Sequence, residues 1–591
     1  YAANTLGAIV GVLVAVHVVM PLLGLRQVVL FGALLDAALG IWLLSRGWAS
    51  LQPTSRWSLA TAVALMLAIG LSVKLDTQKT ASGVFRFGVA DAYGRVVFHK
   101  DGKTASVDVI QRDEHTLSIA TNGKVDASIT RNQATEDDYT MVLAAAVPMS
   151  LHPEAKTAGV IGFGSGRTTH AFLTNPRLER VDTVEIEPAM VEGAKLYGDL
   201  VKRAYDDPRS RIFIEDAKTF FSRHRSKYDI IISEPSNPWV SGVSSLFSTE
   251  FYAQIKGYLQ PKGLFVQWVQ AYEIDLPLIS SILNALDEEF EDYALYFTNR
   301  GDVLIVASPD MVVPSLITLV EAGPEFSALL DRFGIKTVDD LRQRLLGSRE
   351  SLQPFFASLN EPPNSDYFPI VDQRAAKLRY MRASAIELSG IHPYSYRLDE
   401  RMLPSNPTVQ VKDLPFSEML MDAGFIDGYF SGSAQGAVLS DMPHNVISLL
   451  MDLRLPPGCD ALSIEKSWIP ALKAVMHYFG PYLRPATGAS IGRLVRNSSC
   501  YGFFNQEQRA WVDLLEAITA RDWRRTLGIT EQLLSVTPES GRDRNYLLAE
   551  MLLAEVKANG YPSAMNRAMG LDLPPLNDDI VLRYLRANIG V

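Results

Sequence analysis

Cysteine is almost missing from this 591-residue chain. Cys459 and Cys500 are the only two, which excludes a disulfide framework and a cysteine-based zinc site and fits a reducing compartment. Runs of lysine and arginine are absent too, and the formal net charge is -10, so a surface that tracks nucleic-acid phosphates is excluded. The nine histidines stand singly, as at His152, His170, His224 and His392, without the short paired spacing of a zinc helix or hairpin, so no metal is expected. The chain opens with Tyr1-Ala2-Ala3-Asn4 and not with methionine. A signal peptide is therefore not expected, and further upstream sequence, including further spans, is.

Apolar residues are plentiful, at 47% against 21% charged, and the length calls for two or three folded units. Three long apolar runs open the chain: Leu6 to Leu25, Val28 to Leu44 and Trp57 to Val73. Each is long enough to cross a bilayer, so residues 1–76 are read as transmembrane helices of an integral inner- or plasma-membrane protein. Pro21 and Gly24 should end the first helix, and Gly7 and Gly11, four apart on one face, suit close helix packing. Arg26, Lys74, Lys79 and Arg86 share one side and Arg46 and Arg56 the other, a count that leans towards a cytoplasmic soluble part.

From residue 80 the apolar period changes to two. Gly94 to Phe98, Ala105 to Ile110 and Thr116 to Ala120 read as strands, with Asp101-Gly102 and Asn122-Gly123 as hairpin turns, giving a small antiparallel unit over 80–135. A helix over 136–150 follows. Strands then alternate with helices at Val160-Ile161, Val181 to Ile186, Ile212 to Ile214, Asp229 to Ile232 and Leu264 to Trp268, which predicts a mostly parallel sheet covered on both faces across 136–310. Tyr293 to Phe297 and Val303 to Ala307 form a closing hairpin. Residues 311–591 carry no catalytic motif. Gln506 to Ala520, Trp523 to Val536 and Arg542 to Ala558 are amphipathic, with breaks at Arg521-Asp522 and Pro538, as in a tetratricopeptide-like array or plain helical packing. That region offers a surface for a protein partner or an oligomer.

The chemistry-bearing stretch is Val160-Ile161-Gly162-Phe163-Gly164-Ser165-Gly166-Arg167, with Glu185 about one strand later. Glycines let backbone approach a ligand where side chains would clash, and a carboxylate about 20 residues on can hold two ribose hydroxyls, so the pair reads as a nucleotide-like cofactor site. Glu215-Asp216 and Ser233-Glu234-Pro235-Ser236-Asn237-Pro238 strengthen it. Glu234 stands at a strand's carboxyl end, where open α/β sheets bind ligands.

Taken with Asn122-Gly123-Lys124, Glu185-Ile186-Glu187 and Glu234 through Trp239, these motifs resemble the spermidine synthase family of polyamine aminopropyltransferases. The opening spans resemble its membrane-fused branch, and Pro362 through Pro369 resemble the end of that branch's core. The resemblance implies an α/β fold: transmembrane helices, a small antiparallel β unit, a class I methyltransferase-like Rossmann domain and an α-helical C-terminal region. It also implies a co-substrate, decarboxylated S-adenosylmethionine or S-adenosylmethionine itself, cradled by Gly162, Gly164, Ser165 and Gly166. Glu185 would bind its ribose and Asp216 its adenine amino group. Glu234 would take the proton of an acceptor amine, which is otherwise charged at neutral pH. Asp126, Asn237, Trp239 and Trp268, with Tyr272, would line the acceptor.

Two acids of the family pattern are altered. Ser165 stands where soluble members have Asp in the glycine turn, and Asn237 replaces an Asp of their Asp-Ser-Ser-Asp-Pro loop. Ser165 would no longer repel the carboxylate of intact S-adenosylmethionine, so donor and acceptor both stay open. Three functions follow: a membrane-anchored aminopropyltransferase-like enzyme, a methyltransferase, or a non-catalytic synthase-like module of a membrane assembly.

Overall fold

A computed structural model describes residues 1–46, 53–72, 76–84, 88, 94–313, 323–392, 417–431, 444–454, 459–575 and 579–591. The chain divides into two compact units. The first comprises Tyr1–Met149, Pro153–Ser236 and Val320–Phe333, and the second Ser150–His152, Asn237–Leu319 and Gly334–Val591.

In the first unit, helical chain runs from Ala2 to Leu23, Leu25–Arg46 forms a second helix and Pro53–Ser72 a third. Gly24, at φ +83°, breaks the first two apart, whereas Pro21 sits inside the helical run. Among the described residues, only Ala2–Val19 and Leu25–Leu43 are helices long and apolar enough to cross a membrane. In the third helix the apolar stretch covers Ala60–Gly70, shorter than the expected span. Lys74, Arg86 and Val73 lie outside the described residues, so the charge count that leaned towards the cytoplasm has no structural counterpart.

Strands β1 (Arg95–Asp101), β2 (Ser106–Gln111), β3 (Thr116–Thr121) and β4 (Lys124–Thr130) pair antiparallel in chain order. Asn122 and Gly123, at φ +51° and +79°, make the two-residue turn whose twist suits a hairpin. Glu136–Leu151 follows as a helix, with Glu136, Asp137 and Asp138 in its first turn complementing the positive end of its dipole. Then β5 (Thr157–Ile161), β6 (Arg180–Glu185), β7 (Ser210–Ile214) and β8 (Tyr228–Ser233) form parallel pairs in the order β8-β5-β6-β7. Val107, Val109, Ile119 and Ile129 of the β unit share a core with Met141, Phe163, Met190 and Tyr197, so the β unit and the parallel strands are packed as one body.

In the second unit, β9 (Leu259–Gln270), β10 (Asp292–Phe297), β11 (Asp302–Ser308) and β12 (Leu345–Ser348) pair antiparallel in the order β9-β11-β10-β12. The strand pairings across residues 157–348 include the three expected parallel ones and the expected hairpin of β10 and β11, and the correction to the mostly parallel reading is that β9 pairs antiparallel with β11 and β10 with β12. Strand β10 returns along β11 through the short turn at Thr298 to Gly301, which only an antiparallel pair permits. Strand β12, with its four residues, carries too little pattern to be read from sequence.

Helices Gln506–Ala520, Trp523–Leu534 and Arg542–Asn559 fall where amphipathic spacing placed them, and successive helices pack on one another. Asn505 and Gln508 cap the first reciprocally, and Arg521 ends it at φ +60°. Cys459 and Cys500 form a disulfide, with Cα atoms 5.1 Å apart across a separation of 41 residues. The cysteine count excluded a framework but did not foresee this single bridge, because the helices that bring the two together set it. The bridge stands against the reducing compartment that the count suggested.

Candidate active site

The glycine turn follows β5. Gly162 (φ +94°), Gly164 (φ +51°) and Gly166 (φ +82°) all take the left-handed backbone that side chains resist. A Cβ on Gly162 would strike the carbonyl oxygen of Glu234, and one on Gly166 the ring of Phe163. A Cβ on Gly164 would meet no protein atom, so the backbone is open to a ligand there.

Glu185 ends β6, and both of its carboxylate oxygens are engaged. Oε2 accepts from the Phe163 N–H at 2.9 Å and Oε1 from the Glu187 N–H at 2.8 Å. The acid therefore ties the glycine turn to the loop after β6, using one lone pair on each oxygen. Burial pushes its carboxyl up, the two backbone N–H groups pull it back, and the charge of Asp126 adds to the rise.

Glu187, two residues on, belongs to the same network. Its Oε2 accepts from the Thr104 N–H and hydroxyl, both at 2.8 Å, and from the Ala105 N–H at 3.3 Å, while Oε1 caps the next helix at Ala189. One buried carboxylate thus fastens the β1–β2 turn to the strand-end loop. Nothing in the sequence signals this, since the partners are more than 80 residues apart.

Glu234 is the first residue after β8, and its N–H continues the β5 ladder to Ile161. Its Oε2 lies 2.7 Å from Thr168 Oγ1, in the first turn of the helix that the glycine turn starts. Thr168 Oγ1 also lies 3.1 Å from the Met141 carbonyl, so its one proton chooses between the two. Thr168 was not singled out from sequence, although its place just after Gly166 marked it as a residue that meets the strand-end loop.

Asp126, on β4, reaches the same loop. Its Oδ1 accepts from Lys124 Nζ at 2.9 Å and from Ser236 Oγ at 3.2 Å, and its Oδ2 is buried without a partner in the protein. Gly162, Gly164, Gly166, Glu185, Glu234 and Asp126 are thereby gathered at the strand carboxyl ends of the first unit.

Other candidates behave differently. Ser165 is fully buried and turned inward, with Oγ 3.0 Å from Met141 Sδ and accepting from the Arg167 N–H. Asp216 is exposed after β7, and Oδ1 caps the Ala217–Arg223 helix through the Thr219 N–H and hydroxyl at 2.9 Å. Ile186 and Ile214, exposed apolar side chains at the ends of adjacent strands, offer contact area that the motif search passed over.

In the second unit, Asn237 is fully buried with Nδ2 3.5 Å from the Tyr272 hydroxyl. The Trp239 ring carries the Arg379 guanidinium 4.3 Å from its centre, so that face is already covered by a cation. Trp268 lies on β9 and is buried. Among the described residues, no three His, Cys, Asp or Glu side chains gather as a metal-binding group.

Residues 136–300 match the spermine/spermidine synthase domain. It is 30% identical over 154 residues to a polyamine aminopropyltransferase of Caldicellulosiruptor saccharolyticus, covering 26% of this chain and 55% of that protein. It is 33% identical over 156 residues to one of Moorella thermoacetica, again covering 26% and 55%. The chain therefore spans about half the length of the curated relatives it matches. Among solved structures it resembles the spermidine synthase of Thermotoga maritima, with 21% identity, a TM-score of 0.32, and coverage of 39% of this chain and 77% of that one.

Proposed function

We propose, from the premise that residues 136–300 form a spermine/spermidine synthase domain, that this protein is a membrane-anchored transferase. It moves the aminopropyl group of decarboxylated S-adenosylmethionine to an amine. The observation that carries the reading is Glu234: a carboxylate just after β8, held 2.7 Å from Thr168, with its backbone carbonyl packed against Gly162 of the glycine turn.

The glycine turn fits the nucleoside at Gly164, where no protein atom occupies the space a side chain would take. Glu185 supplies its remaining lone pairs to the ribose hydroxyls and Asp216, on its uncapped oxygen, accepts from the adenine amino group. The sulfonium is already a good leaving group, so the protein's task is alignment and deprotonation. The amine nitrogen forms a bond to the terminal carbon of the propyl group and the carbon–sulfur bond breaks, its electron pair remaining on sulfur in methylthioadenosine. The amine's proton goes to Glu234. Asp126, hydrogen-bonded to Ser236 in the loop that Glu234 opens, faces the acceptor.

Methyl transfer from S-adenosylmethionine is the second reading. The glycine turn favours it, because Ser165 is neutral and occupied with Met141, so no acid there repels a donor carboxylate. Mass spectrometry of the nucleoside released from each donor separates the two. Methylthioadenosine from the decarboxylated donor, lost in Glu234→Gln, supports aminopropyl transfer; S-adenosylhomocysteine establishes methyl transfer, and neither product rejects both.

A further inference from the structure

Trp268 and Gln270 are two residues apart on β9 and share one face of the strand. Their exposures are 8% and 0%. Among the described residues, Trp268 Nε1 has no hydrogen-bond partner, and neither Nε2 nor Oε1 of Gln270 has one. Tyr272, two residues further, meets Asn237, itself fully buried with an unpartnered Oδ1. Asp302, opposite Gln270 on β11, accepts at Oδ2 from Asn299 Nδ2 at 2.8 Å and so closes the β10–β11 turn. Burying polar atoms without partners costs desolvation free energy that folded proteins ordinarily recover. A glutamine buried at both ends of its amide is therefore a ligand-binding feature, and its neighbours carry the same unmet demand.

The inventory of these atoms selects the ligand. Gln270 Oε1 and Asn237 Oδ1 need donors, while Gln270 Nε2 and Trp268 Nε1 need acceptors. An ammonium only donates and a carboxylate only accepts, so each leaves half of the demand unmet. A hydroxyl or a carboxamide does both. We infer that Trp268, Gln270 and Asn237 form a subsite for an uncharged hydrogen-bonding group. Given the aminopropyl reading, on which this step rests, the acceptor is an amine whose far end is a hydroxyl or an amide, in place of a diamine.

Calorimetric titration of the full chain in detergent, with methylthioadenosine present, compares a terminal amino alcohol with the diamine of equal length and needs no turnover. The amino alcohol is expected to bind roughly tenfold tighter or more, as a site built around one hydrogen-bonding group discriminates. Gln270→Glu should invert that preference. Gln270→Leu should weaken the amino alcohol by about tenfold while raising Tm, because it removes two buried unpartnered atoms. Equal binding, tighter diamine binding, or no binding of either overturns the subsite, and so does a Gln270→Leu variant that loses Tm with ligand affinity unchanged. Methylthioadenosine release is measured beside it. The expected binding preference without release from either amine removes the aminopropyl reading and leaves the subsite standing; release with the diamine alone keeps that reading and removes the subsite's role in acceptor choice.

Discussion

In the first unit the acids at the strand ends are spent largely on the fold. Glu185 accepts from two backbone N–H groups, Glu187 from four donors, and Asp216 caps a helix. In the second unit Trp268 and Gln270 are as deeply buried, yet hold polar atoms that no protein group satisfies. The contrast separates two ways of making a binding surface. Acids of the first kind fix backbone geometry and keep only spare lone pairs for a ligand, so their loss shows first as instability. Side chains of the second kind contribute little to the empty fold, so their loss shows first as altered recognition.

Glu234→Gln tests the contrast with the largest effect. It keeps the shape and the Thr168 contact but removes the base, so methylthioadenosine release should fall by about a hundredfold or more with thermal stability held. A loss of Tm with activity retained would make Glu234 another fold-fixing acid of the Glu187 type.

Acidification gives the next effect. Burial, with the charges of Arg167 and Arg203, pushes the His170 imidazole down to about 4. The unfolded chain therefore binds a proton that the folded chain refuses. The stability this neutral histidine allows is complete above about pH 6.5 and is lost as pH falls towards 4, by about 3 kcal/mol in all. His392 in the second unit, pushed down to about 3 by burial, acts in the same direction. Denaturant melts at pH 7 and pH 5 should converge for His170→Asn relative to the unaltered chain, and an unchanged pH dependence would refute the assignment.

Glu187→Gln should cost about 1–3 kcal/mol, since a neutral amide supplies one acceptor where the carboxylate serves both the β1–β2 turn and a helix cap. The melt should show it with the amine preference untouched. The smallest effect belongs to Asp216→Ala, which removes one helix cap worth about 1 kcal/mol and, by the nucleoside reading, weakens donor binding more than it shifts Tm.

Much of this was legible along the chain. Gly162 and Glu185 read as a pair because each obeys a local rule, a glycine where backbone must turn left-handed and an acid at the next strand's end. The hairpin at Asn122-Gly123 and the helix beginning after Asn505 read for the same reason, since turn and cap chemistry act over two to four residues. Ser165 misled for an instructive cause. Its position in the motif was right, but whether its hydroxyl faces ligand or interior depends on Met141, which the motif does not contain. The hairpin of β10 and β11 was legible in its short connection, whereas the antiparallel seat of β9 beside β11 was not. Cys459 and Cys500 could be counted but not paired.

The sequence by itself determined where strands, helices and the glycine turn form, because periodicity, capping and backbone conformation are properties of neighbouring residues. It also carried the match of residues 136–300 to the spermine/spermidine synthase domain, through motifs contained within short segments. Only the tertiary structure decided that Thr168 holds Glu234, that Glu187 fastens a turn more than 80 residues away, and that Gln270 is buried with both amide ends unmet. Hydrogen-bond satisfaction depends on which distant groups packing brings within about 3 Å, and no local pattern encodes that distance.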